Sequence, residues 1–281
     1  MHGAGHSGLA FSHLASLSKH FRIITFDFRG HGNNTGTPSN DLSLETSISD
    51  TEKVLLKINE LFPKDTILML GHSFGGVIAI KSLCHALSTV YSQEVYDKIQ
   101  GLIVIDVVEG SAMEALPYMR SVVESRKNNF STMNEAIEYM STTQIRSVSS
   151  ARVSVPPLLH KVNNVYKWKT DLVQTEVYWK AWYENLSNSF LSIKVPKMLI
   201  LTDTCNLDTP LTIAHMQGKF KLTVIKGTGH HVHEDDPTKV NEHLVEFVNA
   251  FRLPGNVDDI KMVQSKLGNQ TKVVKYIEFK G

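Results

Sequence analysis

Residues 67–76 read Ile-Leu-Met-Leu-Gly-His-Ser-Phe-Gly-Gly: an apolar run of four, then Gly71-His72-Ser73-Phe74-Gly75, then a stretch with helical periodicity that begins at Gly76. The middle five residues fit G-x-S-x-G, a spacing that carries meaning where a strand turns directly into a helix. Such a turn is so tight that side chains beside the serine would collide with its strained backbone, which is the steric reason for the two glycines. The turn lifts the serine Oγ out of the sheet and sets it at a helix N-terminus, whose partial positive charge favours developing negative charge. Ser73 is the candidate nucleophile. The plain alternative, a glycine-rich turn without chemistry, is disfavoured by the strand-turn-helix setting.

Outward from this turn, β-rich runs at 22–28, 66–70 and 101–105 alternate with helical patterns at 44–61 and 77–87, which predicts a parallel sheet covered by helices. The runs 67–70 and 102–105 are almost continuously apolar, as suits strands buried on both faces. From 111 to 195 the pattern turns helical without clear strands and holds Trp168, Trp179 and Trp182. It is read as a helical cap inserted into a single domain spanning 1–281. Sheet patterning resumes at 197–201 and 221–225, and an amphipathic helix is expected from 237 to 251. In the tail, 254–281, the run 272–279 fits a strand whose partner is not evident. Together these features predict the α/β-hydrolase fold.

A serine hydrolase also needs backbone N–H groups aimed where a carbonyl oxygen becomes negative. Phe74, the residue after the nucleophile, supplies one. His2-Gly3-Ala4-Gly5 has the character of the glycine-rich loop that supplies the other, with Ala4 as the candidate donor. That loop normally leaves the end of a strand, whereas here only Met1 precedes His2. N-terminal strands are therefore expected to be missing, with exposed strand edges and low solubility or activity as the consequence.

The serine needs a histidine to take its proton and a carboxylate to orient that histidine, in the chain order Ser, acid, His. Among 13 histidines, His230 in Gly227-Thr228-Gly229-His230 sits between the last apolar strand and the closing helix. It is the favoured base, with His231 and His233 as near neighbours. Asp106 ends the run 102–105, while Asp203 and Asp208 follow the run 197–201. Cys205 occupies the place where the later turn would carry its carboxylate, which favours Asp106. The cluster His230, His231, His233, Glu234, Asp235 and Asp236 lacks the H-E-x-x-H spacing of a metal site, and its acids resemble helix capping. No metal and no cofactor are expected.

The chain of 281 residues is 42% hydrophobic, with 29 Lys plus Arg against 28 Asp plus Glu. A net charge of +1 gives no general pull toward nucleic acid or membrane. Two cysteines without paired spacing fit a reducing compartment. A soluble, cytoplasmic protein is expected, with the nucleus as an alternative location, and nuclear targeting is not legible.

Five segments are more restrictive than the fold requires: His2-Gly3-Ala4-Gly5-His6-Ser7, Gly71-His72-Ser73-Phe74-Gly75-Gly76, Ile105-Asp106-Val107-Val108-Glu109-Gly110, Met216-Gln217-Gly218-Lys219-Phe220 and Gly229-His230-His231-Val232-His233-Glu234-Asp235. Over about residues 2–252 the chain resembles the protein phosphatase methylesterases. The resemblance implies Ser73, Asp106 and His230 as the triad. It also implies a partner and substrate, the methyl-esterified C-terminal leucine of the type-2A serine/threonine phosphatase catalytic subunit. Met216 and Lys219 are candidate partner contacts, against the plainer reading that they cap a helix. Trp179 and Trp182 are candidates for the substrate entrance, against a cap-core role. A lengthened link around 87–97 departs from the family. Two rival functions are a small-molecule carboxylesterase of the same fold and a phosphatase-binding protein with weak catalysis.

Overall fold

The computed structural model describes residues 1–34, 41–86, 93–204, 207–253, 256–267 and 270–280. In chain order the elements are α1 (Ser12–Leu17), α2 (Leu44–Leu61), β1 (Ile67–His72), α3 (Phe74–Ala86), α4 (Gln93–Asp97), β2 (Ile99–Ile105), α5 (Glu109–Glu124), α6 (Met133–Thr143), α7 (Val148–Ser154), β3 (Leu159–Val162), β4 (Val165–Trp168), α8 (Glu176–Tyr183), α9 (Leu186–Ser192), β5 (Lys197–Leu201), α10 (Thr209–Met216), β6 (Lys221–Val224), α11 (Val232–Asp235), α12 (Pro237–Ala250), β7 (Asn256–Leu267) and β8 (Gln270–Lys280). The main sheet has the order β1-β2-β5-β6 and is parallel throughout.

Alternation along β2 divides the interior into two layers. Leu102 and Val104 join Phe74, Val77, Ile78 and Leu199 on one face; Ile103 and Ile105 join Met198, Ile200, Leu244 and Phe247 on the other. Residues 102–105 of this strand are apolar without a break because that stretch has no solvent face. Each fully buried Leu, Ile or Phe contributes roughly 1.5–3 kcal/mol of transfer free energy.

Three features differ from the sequence reading. Residues 22–28 join no strand ladder. Between residues 21–26 and β1 lies an apolar cavity of about 180 Å³, lined by Phe21, Ile23, Phe26, Leu68 and Leu70 among others. The cavity lies where a neighbouring strand would pair with β1, at about 4.8 Å in a regular sheet. At its C-terminal end β1 is paired on that side by Met1: the Met1 amine donates to the Leu70 carbonyl at 2.8 Å, and His72 N–H donates to the Met1 carbonyl at 3.0 Å.

The second difference lies within 111–195, which contains an antiparallel hairpin, β3–β4, as well as helices. Asn163 and Asn164 have φ of 47° and 65°. Consecutive left-handed residues make the tight turn that two-residue hairpins favour, and asparagine adopts that conformation at low cost. The third concerns the tail, where the expected strand at 272–279 lies within β8 and pairs antiparallel with β7. Residues 87–92 of the lengthened link and Cys205 lie outside the described residues.

Candidate active site

The register of β1 against β2 pairs His72 with Ile105. The residue after each strand, Ser73 and Asp106, therefore emerges at the same carboxyl edge of the sheet. Both have φ of 51°. A non-glycine residue held in this left-handed region costs about 1–3 kcal/mol and persists where its surroundings over-determine it. Here the anchors are backbone hydrogen bonds: Ser73 N–H donates to the Ile105 carbonyl at 3.0 Å, and Asp106 N–H to the Ile200 carbonyl at 2.8 Å. The flanking glycines are required: a Cβ on Gly71 would sit 2.2 Å from the Gly75 carbonyl oxygen, and one on Gly75 would sit 2.4 Å from the Met1 carbonyl oxygen.

His230 arrives from the loop after β6. Its Nδ1 lies 2.8 Å from Asp106 Oδ2, and Asp106 Oδ1 accepts from Thr202 N–H at 3.4 Å. With Nδ1–H donated to the carboxylate, the lone pair is on Nε2. The imidazole is 50% exposed. Among the described residues nothing hydrogen-bonds Ser73 Oγ, so its rotation decides when it meets the base. His72 adds a link that sequence reasoning missed. Its Nε2–H donates to the His230 backbone carbonyl at 2.9 Å, and the two rings are 4.6 Å apart. Burial holds the His72 pKa well below the usual histidine range, so the ring is neutral and acts as a fixed donor.

The loop at residues 2–5 lies beside this edge, where a Cβ on Gly3 would sit 3.3 Å from Ser73 Cβ. Among the described residues the N–H groups of Ala4 and Phe74 have no acceptor, which leaves both free for an oxyanion. Two histidines hold the loop. Phe28 N–H donates to His2 Nε2 at 2.9 Å, and Gly5 N–H donates to His31 Nε2 at 2.9 Å. The other ring nitrogens, each an Nδ1–H, donate to the carbonyls of Gly3 and Arg29, both at 2.8 Å. Burial keeps His31 down to about 4 and His2 well below its ordinary value. The sequence signal for His31 was the second His-Gly pair, His31-Gly32, which went unread.

Behind His230 lies a buried cluster. His6 and His231 each place Nδ1 3.7 Å from Glu234 Oε1, and burial pushes the Glu234 carboxyl up to about 8. The three ligand atoms lie within 4.8 Å of one another. Donors around a tetrahedral zinc with bonds near 2.0–2.1 Å stand about 3.3 Å apart, so these contacts are too long for that geometry. The site is also closed to solvent, all three residues being buried. The buried donor set lacks the open position that a catalytic metal needs, and no step is routed through one.

Other candidates take structural places. Asp208 caps α10, accepting from Leu211 N–H at 3.0 Å and from Ser187 Oγ at 2.5 Å. Asp236 caps α12 through Lys239 N–H at 3.0 Å, in keeping with the capping read from the acidic cluster. Trp179 and Trp182 are buried, their indole N–H groups donating to Thr175 Oγ1 at 2.9 Å and to the Leu42 carbonyl at 2.8 Å. That burial makes them packing residues of the cap and not a lining of the entrance. Met216, by contrast, is 83% exposed at the end of α10. Lys219 is exposed in the following turn, where its N–H closes onto the Ala214 carbonyl at 3.0 Å and Gly218 takes φ of 69°. Among the described residues no helix is long and apolar enough to cross a membrane.

An elbow serine beside a paired Asp and His at the carboxyl edge of a parallel sheet defines a serine hydrolase of the α/β-hydrolase class. A model of the alpha/beta hydrolase family matches residues 1–243. The probable protein phosphatase methylesterase 1 of Caenorhabditis elegans is 40% identical over 261 residues, covering 90% of this chain and 69% of that protein. Protein phosphatase methylesterase 1 of Schizosaccharomyces pombe is 37% identical over 254 residues, covering 88% of this chain and 72% of that protein. Among solved structures, E-2-(acetamidomethylene)succinate hydrolase superposes with a TM-score of 0.69 at 15% identity, over 88% of this chain and 89% of that one, a likeness of fold. The chain belongs to the protein phosphatase methylesterase family within the α/β hydrolases.

Proposed function

We propose that this chain hydrolyses the methyl ester on the C-terminal leucine carboxylate of the type-2A phosphatase catalytic subunit. The observation that carries the mechanism is the 2.8 Å contact of Asp106 with His230 beside the elbow serine. In the first half-reaction His230 Nε2 takes the Ser73 hydroxyl proton while Oγ bonds to the ester carbonyl carbon. The N–H groups of Ala4 and Phe74 donate to the carbonyl oxygen as it becomes negative. The carbon–methoxy bond then breaks, and the proton passes from Nε2 to the departing oxygen, giving methanol. In the second half-reaction Nε2 takes a proton from water, the hydroxide adds to the acyl carbon, and Ser73 leaves with that proton. The free carboxylate is the product.

The protein substrate is supported by the family, whose members in Caenorhabditis elegans and Schizosaccharomyces pombe are named for protein phosphatase. A methyl group offers few atoms to recognise, so contacts remote from the ester are needed to orient it and can lower the barrier as well as improve binding. The test compares kcat/KM on the intact methylated subunit, on its isolated C-terminal peptide ester and on a nitrophenyl ester, for wild type, Met216→Ala and Lys219→Ala. The intact subunit should be the best substrate. If the nitrophenyl ester is preferred and the subunit is untouched, the chain is a small-molecule esterase; tight binding without methanol release marks a phosphatase-binding protein.

A further inference from the structure

Arg126 follows directly on Ser125, the C-terminal cap of α5. Its guanidinium lies over the Trp168 ring, 4.4 Å from the centroid, and that ring is itself fixed by its indole N–H donating to the Lys127 carbonyl at 2.8 Å. The Arg126 Nε is buried with no hydrogen-bond partner. Among the described residues no carboxylate lies within 4.0 Å of the group, because nearby acids of the cap are committed elsewhere: Glu124 and Glu176 to Arg120, and Glu135 to Lys127. A largely desolvated, stacked arginine without an acid is costly, and structures normally pair such a charge. Burial accordingly works against its charged form.

Its position gives the charge a use. Nη1 comes within 3.6 Å of the place a Cβ on Gly5 would take, and Leu172 Cδ1 within 3.0 Å of the same point. Gly5 adjoins Ala4, the oxyanion donor. Arg126 and Leu172 thus form the cap wall above the oxyanion loop. The neighbouring rings His6 and His231 are buried, with pKa values held well below the usual range by burial first and by Arg126 among other charges, so they stay neutral, and a neutral imidazole does not balance the guanidinium charge. The anion that completes this corner has to come from the ligand.

We infer that Arg126 is the anion-binding group beside the oxyanion loop and takes a carboxylate, through the planar fork that guanidinium presents. The carboxylate is either an acidic side chain close to the scissile ester or the one freed by the reaction. The inference rests on the ester-hydrolase reading above, and it adds a subsite to it.

The test uses the full chain as wild type, Arg126→Met, which keeps the stem over Trp168, and Arg126→Lys. One arm measures kcat/KM on two peptide methyl esters that differ only in Glu or Gln before the esterified leucine. A second measures inhibition by the free-acid form of the Gln peptide, and a third compares monomethyl succinate with methyl butyrate. An acidic-side-chain site makes the Glu peptide better by about tenfold in wild type and equal in Arg126→Met, with the Gln peptide little changed; one charge-assisted pair accounts for such a factor. A product site leaves the two esters alike but weakens inhibition by the free acid about tenfold in Arg126→Met. Arg126→Lys should retain part of either effect. Because the variant removes a half-buried charge without an acid partner among the described residues, its Tm should be unchanged or higher; a loss of stability together with equal loss on every ester marks a structural role and overturns the proposal. Hydrolysis of the peptides with no Arg126-dependent charge effect overturns it while leaving the peptide-ester reading standing. If the peptides are inert and monomethyl succinate is still preferred through Arg126, the subsite stands and the protein-substrate reading falls. If the peptides are inert and that preference is absent as well, the subsite falls.

Discussion

Asp106 Oδ2 and His230 Nδ1 meet at 2.8 Å across 124 residues of sequence, whereas Asp208, the later candidate, is turned into the N-terminus of α10. Asp106→Asn should therefore lower kcat by roughly four orders of magnitude, since an amide in this place favours the wrong imidazole tautomer. Asp208→Asn should change it little, because asparagine also caps helices well. Asp203→Asn should likewise retain turnover. Steady-state rates on one ester for the three variants check this, and equal mild losses would reject Asp106 as the orienting acid.

Ser73→Ala should abolish turnover and labelling by a fluorophosphonate, while stability moves by no more than about 0.5 kcal/mol. The strained φ of 51° is set by the elbow and is retained by alanine, so the substitution neither relieves nor adds backbone strain. Stoichiometric labelling of the variant would show another nucleophile.

His72 touches each part of the machinery. It precedes the nucleophile, its Nδ1 lies 3.0 Å from the place of a Cβ on Gly3 in the oxyanion loop, and its Nε2–H holds the carbonyl of the base. His72→Leu removes that donor, a loss of about 1–3 kcal/mol where the acceptor is left unsatisfied. Phosphonate labelling of Ser73 should slow by about 10–100-fold, as 1.4 kcal/mol is tenfold. His72→Gln, whose amide can reach the same carbonyl, should recover much of the rate even if its Tm falls as far. Equal labelling rates in the two variants would reduce His72 to a packing residue.

Much of this arrangement was legible in residues 67–76 and 101–106, because a fully buried parallel strand and a strand-to-helix serine turn each leave a local signature. The triad order then singled out His230 and Asp106. What the sequence could not display were contacts made by the third dimension alone. The His72 ring beside His230, the approach of His6 to the local His231–Glu234 pair and the Arg126 guanidinium over the oxyanion loop join segments far apart in the chain, and none of these long-range contacts has a spacing to find. Residues 22–28 have strand composition but, among the described residues, join no ladder, so local propensity was overridden by context. The hairpin at Asn163-Asn164 did have a signal, a pair of residues suited to left-handed turns between two short β-rich runs, which the helical patterning around it obscured.

Glu234 gives the fold an alkaline weakness that can be isolated. Burial raises its carboxyl from 4.5 to about 8, so the folded chain holds this proton more tightly than the unfolded one. The associated stability is complete below 4.5 and is lost as pH rises toward about 8. The buried histidines run the other way. His31 is lowered from 6.5 to about 4, and His2, His6, His72, His231 and His233 are held well below 6.5 by burial, so their contribution is complete above 6.5 and is lost as pH falls below it. Glu234→Gln keeps the shape and removes only the first effect. Thermal unfolding of both proteins across this range should give the same acid limb, while the stability of wild type relative to Glu234→Gln declines steadily from pH 4.5 to 8 and then levels. A difference that stays constant with pH would mean that Glu234 titrates alike in the folded and unfolded chain, and that its contacts with His6 and His231 do not set its protonation.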